Sequence, residues 1–181
     1  SKKPIHHASP LSEEAGEHMH SDQYAVSRGM VPDITSGTYP ADLLLPAMKR
    51  TQLLGRCGAL VMFEISASAE PSAMYPSRDL IKMLVSEVRE SGGPGQLVFR
   101  MAPMRIAVLI SEETLSAASS MADVTRRRFQ DRVRVNEARH CSLSGGVAEF
   151  TEENNARRAF EQSMQALQFA QNWGGAKVVE F

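Results

Sequence analysis

The chain lacks the charge excess that drives binding to nucleic acid. Its 20 basic and 21 acidic residues leave a formal net charge of −1, so no overall basic field supports a DNA-binding role. Aromatic residues are few, 6% of the total, which leaves no ladder on which unpaired bases would stack. The two cysteines, Cys57 and Cys141, have neither the spacing of a zinc site nor the number for a disulfide framework, and fit a reducing, cytoplasmic compartment. No apolar run approaches the roughly 20 residues needed to cross a bilayer, and no signal-peptide core opens the chain. A soluble domain with no direct membrane insertion is expected. The opening Ser-Lys-Lys suggests a piece of a longer protein, such as the cytosolic part of a membrane-attached one.

What is present divides into a tail and one domain. Residues 1 to 38 are polar, carry Pro4, Pro10, Gly16, Gly29, Pro32 and Gly37, and offer too few apolar residues to offset ordering entropy, so they read as a flexible linker. Four histidines, His6, His7, His18 and His20, fall in it, either as metal ligands or as a solvated tail; flexible spacing favours the tail. The chain is 43% hydrophobic, and residues 39–181 are the right length for one core.

The spacing predicts a helix over 41–54, with Pro46 in its first turn or at a kink. A nearly continuous apolar run, Ala59 to Ile65, reads as a strand covered on both faces. Leu80, Leu84 and Val88 mark a helix from Ser77 to Glu90, ended by Gly92-Gly93-Pro94-Gly95. Ser111 is the expected N-cap of a helix through Leu115, Ala118, Ala122, Thr125 and Phe129, followed by a short strand at Arg132 to Val135. Cys141 to Phe150 reads as a strand, Thr151 as the cap of a helix with Ala156, Phe160, Met164 and Leu167, and Ala176 to Phe181 as a closing strand.

Between the first two helices and the third lies Val98 to Ile110, two apolar runs joined at Ala102-Pro103-Met104. Proline suits the second position of a tight turn, so this is a β-hairpin. It resembles the hairpin of GGDEF domains, the diguanylate cyclase fold, where an Arg precedes an aromatic residue and then Gly-Gly-Asp/Glu-Glu-Phe. Arg100 matches the Arg, and Ala102, Pro103, Met104, Arg105 and Ile106 occupy the signature. Asp33 to Thr38 is similar to the family's opening Asp-x-Leu-Thr-Gly-Leu. Ser144-Gly145-Gly146-Val147-Ala148 is similar to its Ser-Ile-Gly-Val-Ala strand, and Ala166 to Gly175 to its Ala-Leu-Tyr-x-Ala-Lys-x-x-Gly-Arg. The element order implies an α+β fold with helices packed on a sheet, and the resemblance implies that the sheet is nucleotidyl-cyclase-like and mostly antiparallel.

Joining two GTP molecules needs Mg²⁺ on carboxylate oxygens, a backbone that admits phosphate, and cations for the outer phosphates. By resemblance, the first metal carboxylate falls at Glu64 and the second at Met104, a thioether poorly suited to Mg²⁺. Ala102 and Pro103 add bulk where glycines would leave room, and Arg105 puts a cation where an anion is expected. The family's Lys and Arg fall at Gln171 and Gly175, its guanine-binding Asn at Ser72, and its product-binding Arg-x-x-Asp at Gly93-Pro94-Gly95-Gln96. Catalysis is therefore expected to be lost, with no metal and no cofactor.

One local feature stands out. Arg126, Arg127, Arg128, Arg132, Arg134 and Arg139 crowd into a short stretch. Guanidinium forks bind phosphates and guanine edges, so Arg105 with Arg126, Arg127, Arg128, Asp131 and Arg132 forms the candidate ligand site, Arg128 to Asp131 spelling Arg-x-x-Asp once more. Equally, arginines ending a helix that starts at Glu112 and Glu113 satisfy the helix dipole. Trp173 reads as a packing anchor or an interface mark, and Ser142 and Ser144 beside His140 lack the oriented acid of a triad. The resemblance implies an inactive domain in bacterial cyclic di-GMP signalling, controlling such outputs as exopolysaccharide export, biofilm formation or motility. It would act through a protein partner or self-association, through cyclic di-GMP or GTP at the arginines, or as a residual nucleotide-processing enzyme.

Overall fold

Gly58–Ala67 (β2) is apolar on both faces from Gly58 to Phe63, and it pairs with the strand Cys141–Phe150 along its whole length and with the strand Arg105–Ser111 from Gly58 to Glu64. The structure is a computed structural model that describes residues 31–33, 36–67, 77–92, 95–136, 141–153 and 155–181. The N-terminal histidines, Ser72, Gly93, Pro94, Arg139 and His140 lie outside the described residues.

Around β2 the described elements are Tyr39–Pro40 (β1), a 3₁₀ turn at Ala41–Leu43, Leu44–Leu53 (α1), Ser77–Gly92 (α2), Gln96–Ala102 (β3), Arg105–Ser111 (β4), Leu115–Val135 (α3), Cys141–Phe150 (β5), Ala156–Asn172 (α4) and Val178–Glu180 (β6). Six strands form one sheet in the order β1-β3-β4-β2-β5-β6. The three central pairings are antiparallel, while β1 on β3 and β6 on β5 are parallel. Strand alternation splits the core in two. Val61, Phe63, Val108 and Val147 meet α2 and α3 on one face; Leu60, Met62, Leu109 and Phe150 meet α1 and α4 on the other. The α+β plan with a mostly antiparallel, helix-flanked sheet is therefore present.

Several local expectations change. Arg132 to Val135 is the last turn of α3, not a strand, because Phe129 and Val133, four apart, are both fully buried and carry the helical period onward. Ser111 does not cap α3; it stays in the ladder opposite Gly58, and Glu112, at φ 63°, turns the chain so that Thr114 caps instead, its hydroxyl accepting from the Ala117 N–H at 3.1 Å. Likewise Asn155, not Thr151, caps α4, accepting from the Arg158 N–H at 2.8 Å. The final strand is shortened to Val178–Glu180 because Ala176, at φ 51°, is not extended. Pro46 does sit in the first turn of α1, where its missing N–H has no helical acceptor.

Part of the N-terminal segment packs on the domain. Ser36 and Thr38 are buried with their hydroxyls 2.7 Å apart. The Gly37 N–H donates to the Asp33 carbonyl at 2.7 Å, and Arg89 Nη2 donates to the Gly37 carbonyl at 3.1 Å. Tyr39 and Pro40 then pair with Phe99 and Arg100, a two-residue strand too short to show in the sequence pattern.

Candidate functional site

The hairpin of β3 and β4 turns at Pro103 and Met104 with a register irregularity between Arg100 and Ala102. Neither turn residue has a positive φ, so the turn lacks the twist that usually joins two adjacent strands, and the extra residue in β3 restores it. Arg100 closes the tip from below: its Nε donates to the Ala102 carbonyl at 3.2 Å and its Nη2 to the Pro103 carbonyl at 2.7 Å. The Ile65 N–H donates to the Met104 carbonyl at 2.9 Å, tying the tip to β2. Pro103 is exposed. Met104 is partly buried against the α2–α3 core, and Ile106 belongs wholly to that core.

Arg105 lies directly opposite Glu64 across β4 and β2. Alternation places both on the α4 face, and the guanidinium closes on one carboxylate oxygen, Nε to Oε2 at 3.0 Å and Nη2 to the same Oε2 at 2.8 Å. Each side chain keeps under a third of its surface exposed, 30% for Arg105 and 25% for Glu64, so solvent screens the pair only in part. An open cavity of about 320 Å³ lies beside Arg105 and is otherwise lined from α4 by Met164, Gln165, Leu167, Gln168 and Gln171. Its polar lining is one guanidinium, already engaged by a carboxylate, and three uncharged amides. Among the described residues no three His, Cys, Asp or Glu side chains converge as a metal site would require.

The remaining arginines lie on α3, which packs on the opposite face of the sheet, so the fold does not bring them to Arg105. Each has a carboxylate partner. Arg126 and Arg127 pair with Asp123 at 3.0 and 2.8 Å, and Arg134 with Asp131 at 3.7 Å. Glu87 of α2, its side chain 5% exposed, receives Arg128 at 2.6 Å and Arg132 at 3.0 Å, and Arg128 also meets Glu90. Hydrogen bonding to Glu87, then its charge, pushes the Arg128 guanidinium further up. Burial works against ionisation of Asp123, but Arg126 and Arg127 together outweigh it and hold that carboxyl below its usual range. Asp123 and Asp131 are sequence-local partners, but Glu87 is out of reach of a local reading, 41 residues from Arg128 and 45 from Arg132.

Ser144 is buried, its hydroxyl accepting from the Ala176 N–H at 3.1 Å. Burial raises the Cys141 thiol and leaves it unreactive. Trp173 is no core anchor: it is 66% exposed and stacks on Phe169, centroids 5.4 Å apart. The four-residue spacing of Phe169 and Trp173, off the buried stripe of α4, is the signal that would have revealed it.

No family model matches the chain, and no curated protein matches it in sequence. Solved structures do. The GGDEF domain of DgcB from Caulobacter crescentus, solved with c-di-GMP, superposes with a TM-score of 0.61 at 16% identity, over 82% of this chain and 94% of that one. The GGDEF domain of FimX from Pseudomonas aeruginosa gives 0.64 at 19%, over 83% and 98%. The diguanylate cyclase SiaD from the same organism, solved with its activator SiaC, gives 0.66 at 18%, over 87% of this chain and 64% of that one. With a central antiparallel sheet, helices on both faces and a hairpin closing beside its middle strand, the chain has the fold of a GGDEF domain.

Proposed function

We propose that this is a regulatory GGDEF-fold domain that makes no cyclic di-GMP and acts in a bacterial signalling protein by engaging a protein partner or a second copy of itself. The observation that carries the reading is the Arg105–Glu64 pair. The fold implies a divalent cation at the hairpin, and these residues do not fit one. Oε2 of the aligned carboxylate accepts two hydrogen bonds from a guanidinium at 2.8 and 3.0 Å, whose fixed positive charge repels a metal ion, and Met104 turns a thioether toward the core. Pro103, whose ring removes an N–H donor, and the uncharged Gln168 and Gln171 beside Arg105 support it further. The α3 arginines, already paired with carboxylates, favour a structural role over a nucleotide site. SiaD, solved with an activator protein, supports protein partnership as a use of this fold.

The test is incubation with GTP and Mg²⁺ or Mn²⁺, with chromatography of the products, alongside calorimetric titration with cyclic di-GMP. No turnover and no heat are expected. Turnover abolished by Glu64→Ala would overturn the reading in favour of an enzyme. Micromolar binding lost in Arg128→Ala with Arg132→Ala would replace it with a cyclic di-GMP receptor.

A further inference from the structure

The buried stripe of α4 runs through Ala159, Ser163, Ala166 and Ala170. One flank of that stripe, Met164, Gln168 and Gln171, faces Arg105 of β4. α4 packs over β5, which has β2 and then β4 on one side and the β6 edge on the other, so the opposite flank, with Phe169 and Trp173, lies toward the β6 side. That edge is open. The Gly145 N–H donates to the Lys177 carbonyl at 2.9 Å and the Phe181 N–H to the Val147 carbonyl at 2.8 Å. Residues 177, 179 and 181 thus turn their main-chain groups to β5, and Val178 and Glu180 turn theirs outward, where no partner meets them among the described residues.

We infer that the β6 edge and the Phe169–Trp173 stack form one docking surface, taken by an extended segment of a partner protein that adds as a strand beside β6 and lays an apolar side chain across the two rings. Strand addition draws affinity from main-chain bonds and specificity from one or two side-chain seats, and both are here. The size of the patch selects this occupant over a second copy. With Phe169 51%, Trp173 66% and, directly after β6, Phe181 57% exposed, the rings at this edge offer roughly 300 to 400 Å², well short of the roughly 800 Å² that each partner of a stable dimer buries. The inference deepens the proposed function only in taking the partner to be a protein.

The probe is a set of fluorescein-labelled peptides of alternating Thr and Val with a central Phe, titrated against the full chain by fluorescence anisotropy, with amide shifts read by NMR. Binding is expected to move the Val178 and Glu180 amides and to weaken roughly tenfold in Trp173→Ala. Glu180→Pro should weaken it similarly, because proline there removes an outward N–H while leaving the ladder to β5 intact. Trp173→Ala, at an exposed helix end, keeps the test usable if Glu180→Pro fails to fold. Absence of binding, or binding indifferent to Trp173→Ala, overturns the inference. So does a concentration-dependent dimer in sedimentation that Trp173→Ala abolishes, since a second copy would then be the occupant. None of these outcomes depends on GTP turnover, so a failure here and a failure of the proposed function read out separately.

Discussion

Gly146→Ala is expected to destabilise the domain by about 3 kcal/mol or more, read as a lower urea midpoint with an unchanged slope. Gly146 lies in β5 beneath α4, and a Cβ placed there would stand 2.2 Å from the Leu167 amide nitrogen and 2.3 Å from the Ser163 carbonyl oxygen. Both are backbone atoms of a helix, so no side-chain rotation relieves the contact and α4 must lift from the sheet. That lift loosens Ala159, Ala166, Leu167 and Ala170, all buried there, and disturbs the flank that faces Arg105. Gly92→Ala is the control: its Cβ would meet the side-chain end of Gln96, which can swing aside. A loss for Gly146→Ala no greater than for Gly92→Ala would show that α4 does not pack on β5 as described.

Phe129→Ala is the second large effect, about 3 to 5 kcal/mol. Phe129 sits among the arginines of α3, fully buried against the sheet, and its removal opens a cavity in the larger core. Arg127→Ala, two residues before it in the same cluster, removes an exposed i,i+4 pair with Asp123 and is expected to cost about half a kcal/mol or less. The contrast separates two views of the cluster. If the arginines were a preformed ligand site, cyclic di-GMP would raise the melting temperature and Arg127→Ala would remove the rise; as the solvated side of a packing helix, the nucleotide leaves it unchanged and stability follows Phe129 alone.

Much of the architecture was legible because most of the longer elements carry their own apolar pattern. Ala59 to Ile65 reads as a doubly covered strand without a gap, and the hairpin shows itself through Pro103 between two apolar runs. Boundaries were less legible. Ser111 and Thr151 are good capping residues chemically, yet Thr114 and Asn155 cap because the chain first has to leave the strand and turn. Val133 and Val135 favour strands by type, but Phe129 four residues before Val133 sets the helix. The site was the least legible part. Arg105 finds Glu64 through the pairing register of two strands 41 residues apart, and register follows from the assembled sheet, not from any local pattern. The exposure of Trp173 likewise depends on which flank of α4 the sheet covers.

The strand order also dictates the route by which the domain assembles. β3 and β4 are neighbours in sequence, and their hairpin closes over two residues, on the microsecond scale typical of such turns. The pairings of β2, by contrast, each bridge a long stretch of chain: β2 reaches forward to β4 and then, past α3, to β5. Closing those loops costs entropy before any burial returns it. The Arg100 contacts that hold the tip shut are thus expected to form early, ahead of the longer-range pairings of the sheet.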